Sequence, residues 1–302
     1  MNKKIVVVGS SNTDMVVKSN HIPVPGETVL GGVFMMNSGG KGANQAIAAA
    51  RLGGDVTFIT KTGNDIFGKQ SQELYEEEGI ETKYVLSTTD HHPSGVALIM
   101  VDRYGENCIM VAPGANALLS RKDIDNAKEA IEGAALLLMQ LETPIDTIEY
   151  TARMAKEKGV KVILNPAPAQ ALSQELLSCL YMIVPNHTEA EILSGIKVTD
   201  VESAKKAARM IGENGVEIVV ITLGAEGAVV KEHDDYYHVP APLITPVDTT
   251  AAGNTFCGAL CVAINEGLNT REAVTMACKA ASITCTKMGA QSSIPYRNEI
   301  FQ

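Results

Sequence analysis

The sequence lacks an excess of basic residues. Its 302 residues include 25 Lys and Arg against 35 Asp and Glu, which gives a formal net charge of −10. Nucleic acids and anionic membranes attract positive patches, so this balance argues against both as partners. A phosphate-bearing ligand would have to be held by backbone dipoles and a few lysines.

Long apolar runs and paired cysteines are also missing. No segment approaches the roughly 20 apolar residues that cross a bilayer, and the first apolar run, residues 5–8, is too short for a secretory leader. The six cysteines show no C-x-x-C spacing. Three of them lie in apolar helical contexts, which favours buried thiols over disulfides or a metal site. These absences predict a soluble cytoplasmic protein.

Short apolar runs alternate with helical patterns along most of the chain. The predicted strands are 5–9, 56–61, 136–141, 160–165, 181–185 and 218–223. The predicted helices are 42–52, 65–78, 121–132, 145–158, 201–213, 253–266 and 271–288. This alternation predicts an α/β fold, with a mostly parallel central sheet flanked by helices on both faces. Without a repeat or a low-complexity linker, we interpret residues 1–302 as one domain.

Two stretches, 15–37 and 94–111, break the alternation, because their β-type residues have no helix between them. Residues 103–107 have the composition of a hairpin turn. Such strands cannot easily join a parallel core, so they predict a small separate sheet embedded in the domain. Its apolar residues suggest a lid, a dimer interface or both. The pattern alone fits ordinary surface hairpins equally well.

The strongest local signal is the segment 248–258, in which small residues lead into a helix. The first N–H groups of a helix attract anions, and Ala251, Ala252 and Gly253 are small enough to let one approach closely. The segment could therefore stabilise a phosphoryl group in transfer. The alternative is a plain helix start capped by Asn254, which the residues alone slightly favour.

A second signal is the glycine-rich segment 38–46 around Lys41. It lacks the G-x-x-x-x-G-K-[ST] spacing of a P-loop. Gly40 and Gly42 permit a close backbone approach to a ligand, and Asn44 could direct its amide at a sugar hydroxyl. The alternative is a flexible turn with a solvated lysine, but the glycines on both sides of the lysine favour a functional segment.

Polar side chains follow several predicted strands. Asn12 and Asp14 come after the first strand, Glu142 after the strand 136–141, and Asn186 and Glu189 after the strand 181–185. In open α/β sheets, ligands bind beyond the carboxyl ends of the strands. Carboxylates and amides that converge there suit a polyhydroxylated ligand, although Asn and Asp taken singly are also common turn formers.

Together these segments resemble the ribokinase family of sugar kinases. The segment 39–46 is similar to the first signature of that family and 248–258 to the second. Further similar segments are 9–14, 139–142, 165–168 and 289–291, so the resemblance covers almost the whole chain. It implies an α/β core with a β-sheet lid and a homodimer formed through the lids. It also implies transfer of the γ-phosphate of ATP to the 5-hydroxyl of D-ribose, giving ribose 5-phosphate.

The resemblance further implies a role for individual residues. The expected sugar contacts are Asn12, Asp14, Gly40, Lys41, Gly42, Asn44, Glu142 and Asn254. Those expected to form an anion hole are Ala251, Ala252 and Gly253. Those expected to contact ATP are Asn186, Glu189, Thr222, Gly224, Gly227, Gly253 and Cys278, with Glu189 near Mg²⁺. Those expected around an activating K⁺ are Asp248, Thr250, Thr284, Lys287, Gly289 and Ser293.

Two positions depart from the family pattern. Relatives often place a histidine or asparagine by the adenine where this chain has Cys278. The family has an aspartate at position 254, as the base that takes the proton of the sugar hydroxyl, and this chain has Asn254. An amide cannot hold that proton, and general-base catalysis contributes about 10²–10⁴-fold in rate. We therefore predict strongly reduced turnover with sugar and nucleotide binding largely retained.

Other functions stay open at this point. Asn254 is either an engineered change in an ordinary enzyme, which the intact signatures favour, or the mark of a natural non-catalytic protein that binds a sugar or a nucleotide. The substrate could also be deoxyribose, fructose or a nucleoside. A nucleoside would need an apolar or aromatic slot for its base. Because the chain has no Trp and few aromatic residues near 12–14, a free sugar is preferred.

Overall fold

The computed structural model describes residues 4–301. Its strands are β1 (Ile5–Val8), β2 (Asn12–Lys18), β3 (Val33–Gly39), β4 (Val56–Thr62), β5 (Val85–Ser87), β6 (Gly95–Val101), β7 (Asn107–Ala112), β8 (Leu136–Met139), β9 (Lys161–Leu164), β10 (Met182–Ile183), β11 (Ile218–Thr222), β12 (Ala228–Glu232) and β13 (Asp235–Val239). Its helices are α1 (Lys41–Arg51), α2 (Ile66–Glu77), α3 (Arg121–Asn126), α4 (Lys128–Glu132), α5 (Ile145–Glu157), α6 (Gln174–Cys179), α7 (His187–Ser194), α8 (Val201–Gly212), α9 (Ala252–Asn265), α10 (Thr270–Cys285) and α11 (Arg297–Ile300). Within these residues, none of the helices combines the length and the apolar character that a membrane crossing requires.

A large mixed sheet forms the centre of the described chain. Its strand order is β13-β12-β11-β10-β9-β8-β1-β4-β5. The strands from β11 to β5 pair in parallel, whereas β12 and β13 add antiparallel hairpin strands at one edge. The predicted α/β fold with a mostly parallel central sheet is confirmed.

Alternation along β1 divides the core between the two faces of this sheet. Ile5 and Val7 pack on one side, with apolar residues of α1, α9 and α10. Val6 and Val8 pack on the other, with apolar residues of α5 and α8. Successive side chains of a strand point to opposite faces, so a fully apolar strand requires helices on both. The predicted helical layers on both faces are thereby confirmed.

A second sheet of four strands stands apart, in the order β3-β2-β6-β7. β2 pairs antiparallel with β3 and parallel with β6, and β6 pairs antiparallel with β7 across the predicted hairpin turn. Four connections join this sheet to the core, and two of them are residues 88–94, before β6, and Pro113, after β7. In the other two, residues 9–11 lead from β1 into β2, and Gly40 alone separates β3 from α1.

Several predicted elements differ in the structure. The helix predicted over 121–132 is two helices, α3 and α4, because the N–H groups of Ala127 and Ala130 bond three residues back instead of four. The strand predicted over 181–185 keeps two residues, since the chain turns into α7 at Asn186. Helices α6 and α7 were not predicted, because their apolar periodicity spans fewer than three turns.

Candidate functional site

A pocket of about 160 Å³ opens at the carboxyl ends of the central strands. Its lining residues come from the ends of β9, β10 and β11, from the start of α1 and from the start of α9: Lys41, Asn165, Ala167, Val184, Asn186, Glu189, Thr222, Thr249, Ala251, Ala252, Gly253, Asn254 and Cys257. Open α/β sheets bind ligands at this edge. Eight of these residues were predicted from the sequence; Asn165 and Ala167 lie in a segment that carries the family resemblance.

Helix α9 begins at the pocket without a side-chain cap. Its N-cap residue, Ala251, has the left-handed backbone angle φ 63°, and in the described chain no side chain hydrogen-bonds to the helix start. The alternative in which Asn254 caps this helix is therefore wrong, because Asn254 lies inside the first turn. The Ala252 N–H donates to the Thr249 carbonyl at 3.2 Å, but the N–H groups that follow it have no partner within the helix, so this end can receive an anion.

Gly253, in the first turn of α9, leaves the floor of the pocket open. Among the described residues, no atom outside its immediate chain surroundings lies within 4 Å of where a Cβ would stand. The small residues predicted to admit an anion are thus at the pocket surface.

A partly buried ion pair lies on the other side of Lys41. Its Nζ donates to Glu142 Oε1 at 2.8 Å, and its backbone N–H donates to Glu142 Oε2 at 3.0 Å. Ser10 Oγ donates to the same oxygen at 2.5 Å. Burial raises the pKa of Glu142, but the charge and hydrogen bonds of Lys41 outweigh it and lower that pKa below its ordinary value. Glu142 is therefore a fixed, ionised acceptor.

Asp14, on β2, carries the second carboxylate of this cluster. Burial first, and then the charge of Glu142, raise the pKa of Asp14 from 3.8 to about 6, although Lys41 partly opposes them. Neighbouring Asn12 is buried, and its Oδ1 accepts a hydrogen bond from Asn116 Nδ2 at 2.7 Å. Asn116 was not predicted from the sequence; it reaches the site from a short 3-10 helix, Gly114–Leu118, 104 residues along the chain from Asn12.

The glycines before α1 are required by close backbone contact. A Cβ at Gly40 would stand 2.8 Å from the backbone N of Asn12, and one at Gly42 would stand 2.5 Å from the backbone N of Ser10. Asn44, one turn on, is 6% exposed, and its Oδ1 has no hydrogen-bond partner among residues 4–301. A buried acceptor without a partner is costly unless a ligand or water satisfies it.

Asn186 and Glu189 form a reciprocal capping box at the start of α7. Asn186 Oδ1 accepts from the Glu189 N–H at 2.9 Å, and Glu189 Oε2 accepts from the Asn186 N–H at 2.8 Å. Burial raises the pKa of Glu189 above its ordinary value, against the opposing effects of the Asn186 N–H and of Lys41. The N-x-x-E spacing is therefore at least a helix start, and that signal was present in the sequence.

The other predicted nucleotide contacts lie at different distances from the pocket. Thr222 lines the pocket and bridges to Asn186. Gly224 and Gly227 lie in the turn beyond it, where the Leu223 N–H donates to the Gly227 carbonyl at 2.7 Å. Cys278 is 4% exposed and packs in the core next to α9. The structure does not bring it to the pocket, so its contact with the adenine stays a prediction.

Three of the residues predicted around K⁺, Asp248, Thr250 and Gly289, are joined by hydrogen bonds. Asp248 Oδ1 accepts from the N–H and the hydroxyl of Thr250, and its Oδ2 accepts from the Gly289 N–H at 3.0 Å. The Lys287 N–H donates to the Thr284 carbonyl, and the Ser293 hydroxyl to the Ala290 carbonyl. Within the described part of the chain, no group of three or more His, Cys, Asp or Glu could hold a metal ion. A cation here would rely mainly on backbone carbonyls, with the Asp248 carboxylate beside them.

Comparisons with known proteins match the chain along nearly its full length. The family model described as pfkB family carbohydrate kinase matches residues 2–297. A ribokinase of Haemophilus influenzae is 45% identical, over 100% of this chain and 98% of its own. A deoxyribokinase of Salmonella typhimurium is 37% identical, over 96% and 95%. The solved structure of Arabidopsis thaliana ribokinase complexed with ribose and ATP has a TM-score of 0.92 at 32% identity and covers 100% of this chain and 98% of that one.

Proposed function

Because the chain belongs to the pfkB family of carbohydrate kinases, we propose that it binds D-ribose and ATP and has the fold of an enzyme that phosphorylates the 5-hydroxyl of the sugar. The observation that carries this proposal is the position of Lys41. Its side chain lines the pocket at the uncapped start of α9 and also pairs with Glu142 in the carboxylate cluster. An anion-binding helix start and a polyol-binding cluster are thus adjacent.

The sugar subsite in this proposal lies between the two sheets. Asp14 and Glu142 supply carboxylates that accept hydrogen bonds from hydroxyls, and Asn44 supplies a buried acceptor that a sugar hydroxyl would satisfy. Asn12 contributes an amide held in place by Asn116. Gly40 and Gly42 bring the backbone close enough to shape this subsite.

The phosphoryl subsite lies at the start of α9. Ala251, Ala252 and Gly253 surround the first N–H groups of the helix, which would stabilise the charge that develops on a phosphoryl group as it moves to the sugar oxygen. Asn186 and Thr222 line the side from which the nucleotide would approach, with Gly224 and Gly227 beyond.

The residues present fit both metal ions that a kinase of this family is expected to use. Mg²⁺ is ordinarily held by one or two carboxylates together with nucleotide phosphates, and Glu189 offers one buried carboxylate in the pocket. K⁺ suits hard oxygen ligands, and the loops joined by Asp248 and Gly289 offer carbonyls in addition to one carboxylate. In this proposal Mg²⁺ supplies charge neutralisation of the phosphates, and K⁺ orders the loop behind the anion site.

Asn254 limits the turnover that we propose for this chain. In a reactive geometry the sugar O–H bond breaks as its oxygen bonds to the γ-phosphorus, ADP leaves with the electron pair of the broken P–O bond, and the proton goes to a base at position 254. Asn254 lines the pocket but cannot take that proton at neutral pH. The specific alternative that this residue favours is a protein that binds the sugar and the nucleotide without transferring phosphate.

The experiment compares the chain with its Asn254→Asp form in a coupled assay of ADP release. We expect ribose-dependent turnover to rise by about 10²–10⁴-fold on the substitution, with calorimetric affinity for ribose little changed. Ribose, deoxyribose and fructose are tested side by side, because one relative is a deoxyribokinase. Equal rates in the two forms would refute the role of position 254, and fructose binding as tightly as ribose would refute the substrate.

A further inference from the structure

A chain of buried amides reaches the side chain at position 254. Gln45, in α1, is fully buried, and its Nε2 donates to Asn254 Oδ1 at 3.2 Å and to Asn165 Oδ1 at 3.0 Å. Its Oε1 accepts from Gln140 Nε2 at 2.6 Å. Gln140 is also fully buried, and it fits because Gly9 lacks a Cβ, which would overlap Gln140 Oε1.

A backbone carbonyl fixes the direction of the hydrogen bonds in this chain. Asn165 Nδ2 donates to the Val184 carbonyl at 2.9 Å, and a carbonyl can only accept. Asn165 therefore turns its Oδ1 towards Gln45, and Gln45 must donate to that oxygen from its Nε2. Because Gln45 presents the same donor to position 254, Asn254 turns its Oδ1 inwards. The Nδ2 group of Asn254 is then the end of its amide that is directed away from Gln45, on the pocket side.

We propose that Gln45 is a positioning residue, whose donor group holds one side-chain oxygen at position 254 and thereby selects the atom that faces the sugar hydroxyl. This inference rests on the proposed function and deepens it. With a carboxylate at position 254, one oxygen accepts from Gln45 and the other is left facing the substrate as an acceptor. The Val184 carbonyl thus sets a hydrogen-bond direction in which Gln45 donates to position 254, and a carboxylate base there needs such a donor on its inner oxygen.

With the same hydrogen-bond direction, the amide at position 254 removes the base and also puts a donor where the reaction needs an acceptor. The atom of Asn254 that faces the substrate is an N–H donor, where the reaction needs a proton acceptor. A turned amide would set its donor against the Gln45 donor, so that one N–H of each amide would lose its hydrogen bond. Asn254 therefore offers a hydrogen bond to an oxygen of the sugar or of the phosphoryl group, and it holds that orientation because of Gln45.

The test uses the Asn254→Asp form as its reference and adds Gln45→Met, which keeps the volume of the side chain and removes its donor. The carboxyl introduced at position 254 is titrated by ¹³C NMR, its signal being assigned by comparison with the unsubstituted chain. We expect Gln45→Met to raise the pKa of that carboxyl, because a donor favours the charged form. Turnover should fall by up to about 10²-fold with the KM for ribose nearly unchanged, as expected for a misplaced reacting group.

Two further variants make the outcome decisive. Gln140→Met, one residue further along the amide chain, should act in the same direction and more weakly. Thr57→Val, a buried polar change inside the central sheet, should leave the titration and the turnover unchanged. An unshifted pKa in a folded Gln45→Met variant would overturn the inference. A shifted pKa in a reference form that cannot phosphorylate ribose would support the positioning role and refute the proposed function.

Discussion

Asp14 shows what a polar ligand site requires of a single side chain. Its carboxylate lies in a cluster with Glu142, and both burial and that neighbouring charge work against its ionised form. Gly39 is a diagonal neighbour of Asp14 on the adjacent strand β3. A Cβ at Gly39 would overlap the Asp14 carboxylate, so a glycine is needed there. The protein therefore keeps a charge where folding alone would favour a neutral residue.

Replacing Asp14 by asparagine should stabilise the fold in a pH-dependent way. The pKa of Asp14 is raised from 3.8 to about 6, so between those pH values the folded protein holds a proton that the unfolded chain has released. Its favourable contribution is complete below pH 3.8 and is lost as the pH rises through 6. Urea unfolding should therefore show Asp14→Asn to be more stable by about 1–3 kcal/mol at pH 8, with the two curves converging near pH 4.

The matched control for this change is Asp234→Asn, in an exposed turn, which should give no comparable divergence. Ribose binding should weaken in Asp14→Asn at the same time. A difference in the free energy of unfolding that does not vary with pH would contradict the raised pKa.

At this scale the sequence showed which residues to examine but not how they are oriented. Asn254 stood out because its segment resembles a known signature. The role of Gln45 could not be predicted, because it depends on the Val184 carbonyl and on Asn165, which are close to it only in the folded chain. Hydrogen-bond polarity is a property of a network, and no segment of the sequence contains the whole network.

Helix α9 combines two requirements along its length. Its first turn borders the pocket, and its middle packs against α1, where a Cβ at Gly258 would stand 2.6 Å from the Ala48 Cβ. Glycine is a poor helix former in both places. Gly258 is explained by packing, whereas Gly253 has open space beside it and no packing reason to lack a side chain.

Alanine at these two glycines should therefore have opposite effects. Gly253→Ala should stabilise the protein by about 0.5–1 kcal/mol, and in the Asn254→Asp background it should lower turnover, because the new methyl group enters the proposed phosphoryl subsite. Gly258→Ala should destabilise by about 1–3 kcal/mol through overpacking. Thermal unfolding and ADP release measure both; unchanged turnover in Gly253→Ala would argue against an anion at the start of α9.

Strands and helices were predicted well where the apolar periodicity was long. They were predicted poorly where local backbone geometry determined where an element begins. The strands and the long helices follow from apolar runs and amphipathic patterns. The left-handed Ala251 was not foreseen, since alanine rarely adopts that conformation, and the predicted helix start was one residue late as a result. Helix α7 is not predicted although its capping box is visible in the sequence, because its eight residues are too few to show an apolar period.

At the scale of the whole molecule, the small sheet exposes an unusual amount of apolar surface. Phe34, Leu98 and Met110 are 60%, 52% and 72% exposed, and the strand register places Leu98 beside Met110. All six residues of edge strand β7 are exposed. Contiguous apolar surface of this kind marks an interface. We propose that this sheet is both the lid of a single domain and the contact surface of a homodimer.

The double substitution of Ile109 and Met110 by glutamate should abolish that dimer. The two side chains project from opposite faces of β7, so the pair of charges blocks association through either face. Light scattering should give the mass of one chain for this variant and of two for the unsubstituted protein. Ile192→Glu, equally exposed on α7, is the control and should remain dimeric; dimers in the double variant would place the interface elsewhere.

Two of the connections between the small sheet and the core lie next to residues of the proposed sugar subsite. Residues 9–11 and Gly40 are two of the four connections between the small sheet and the core, and they adjoin Asn12, Asp14 and Lys41 in the chain. Tilting the sheet away from the core would carry Asp14 with it and leave Glu142 behind. A sugar bound to both carboxylates would hold the small sheet against the core, so that sheet movement and sugar release would occur together.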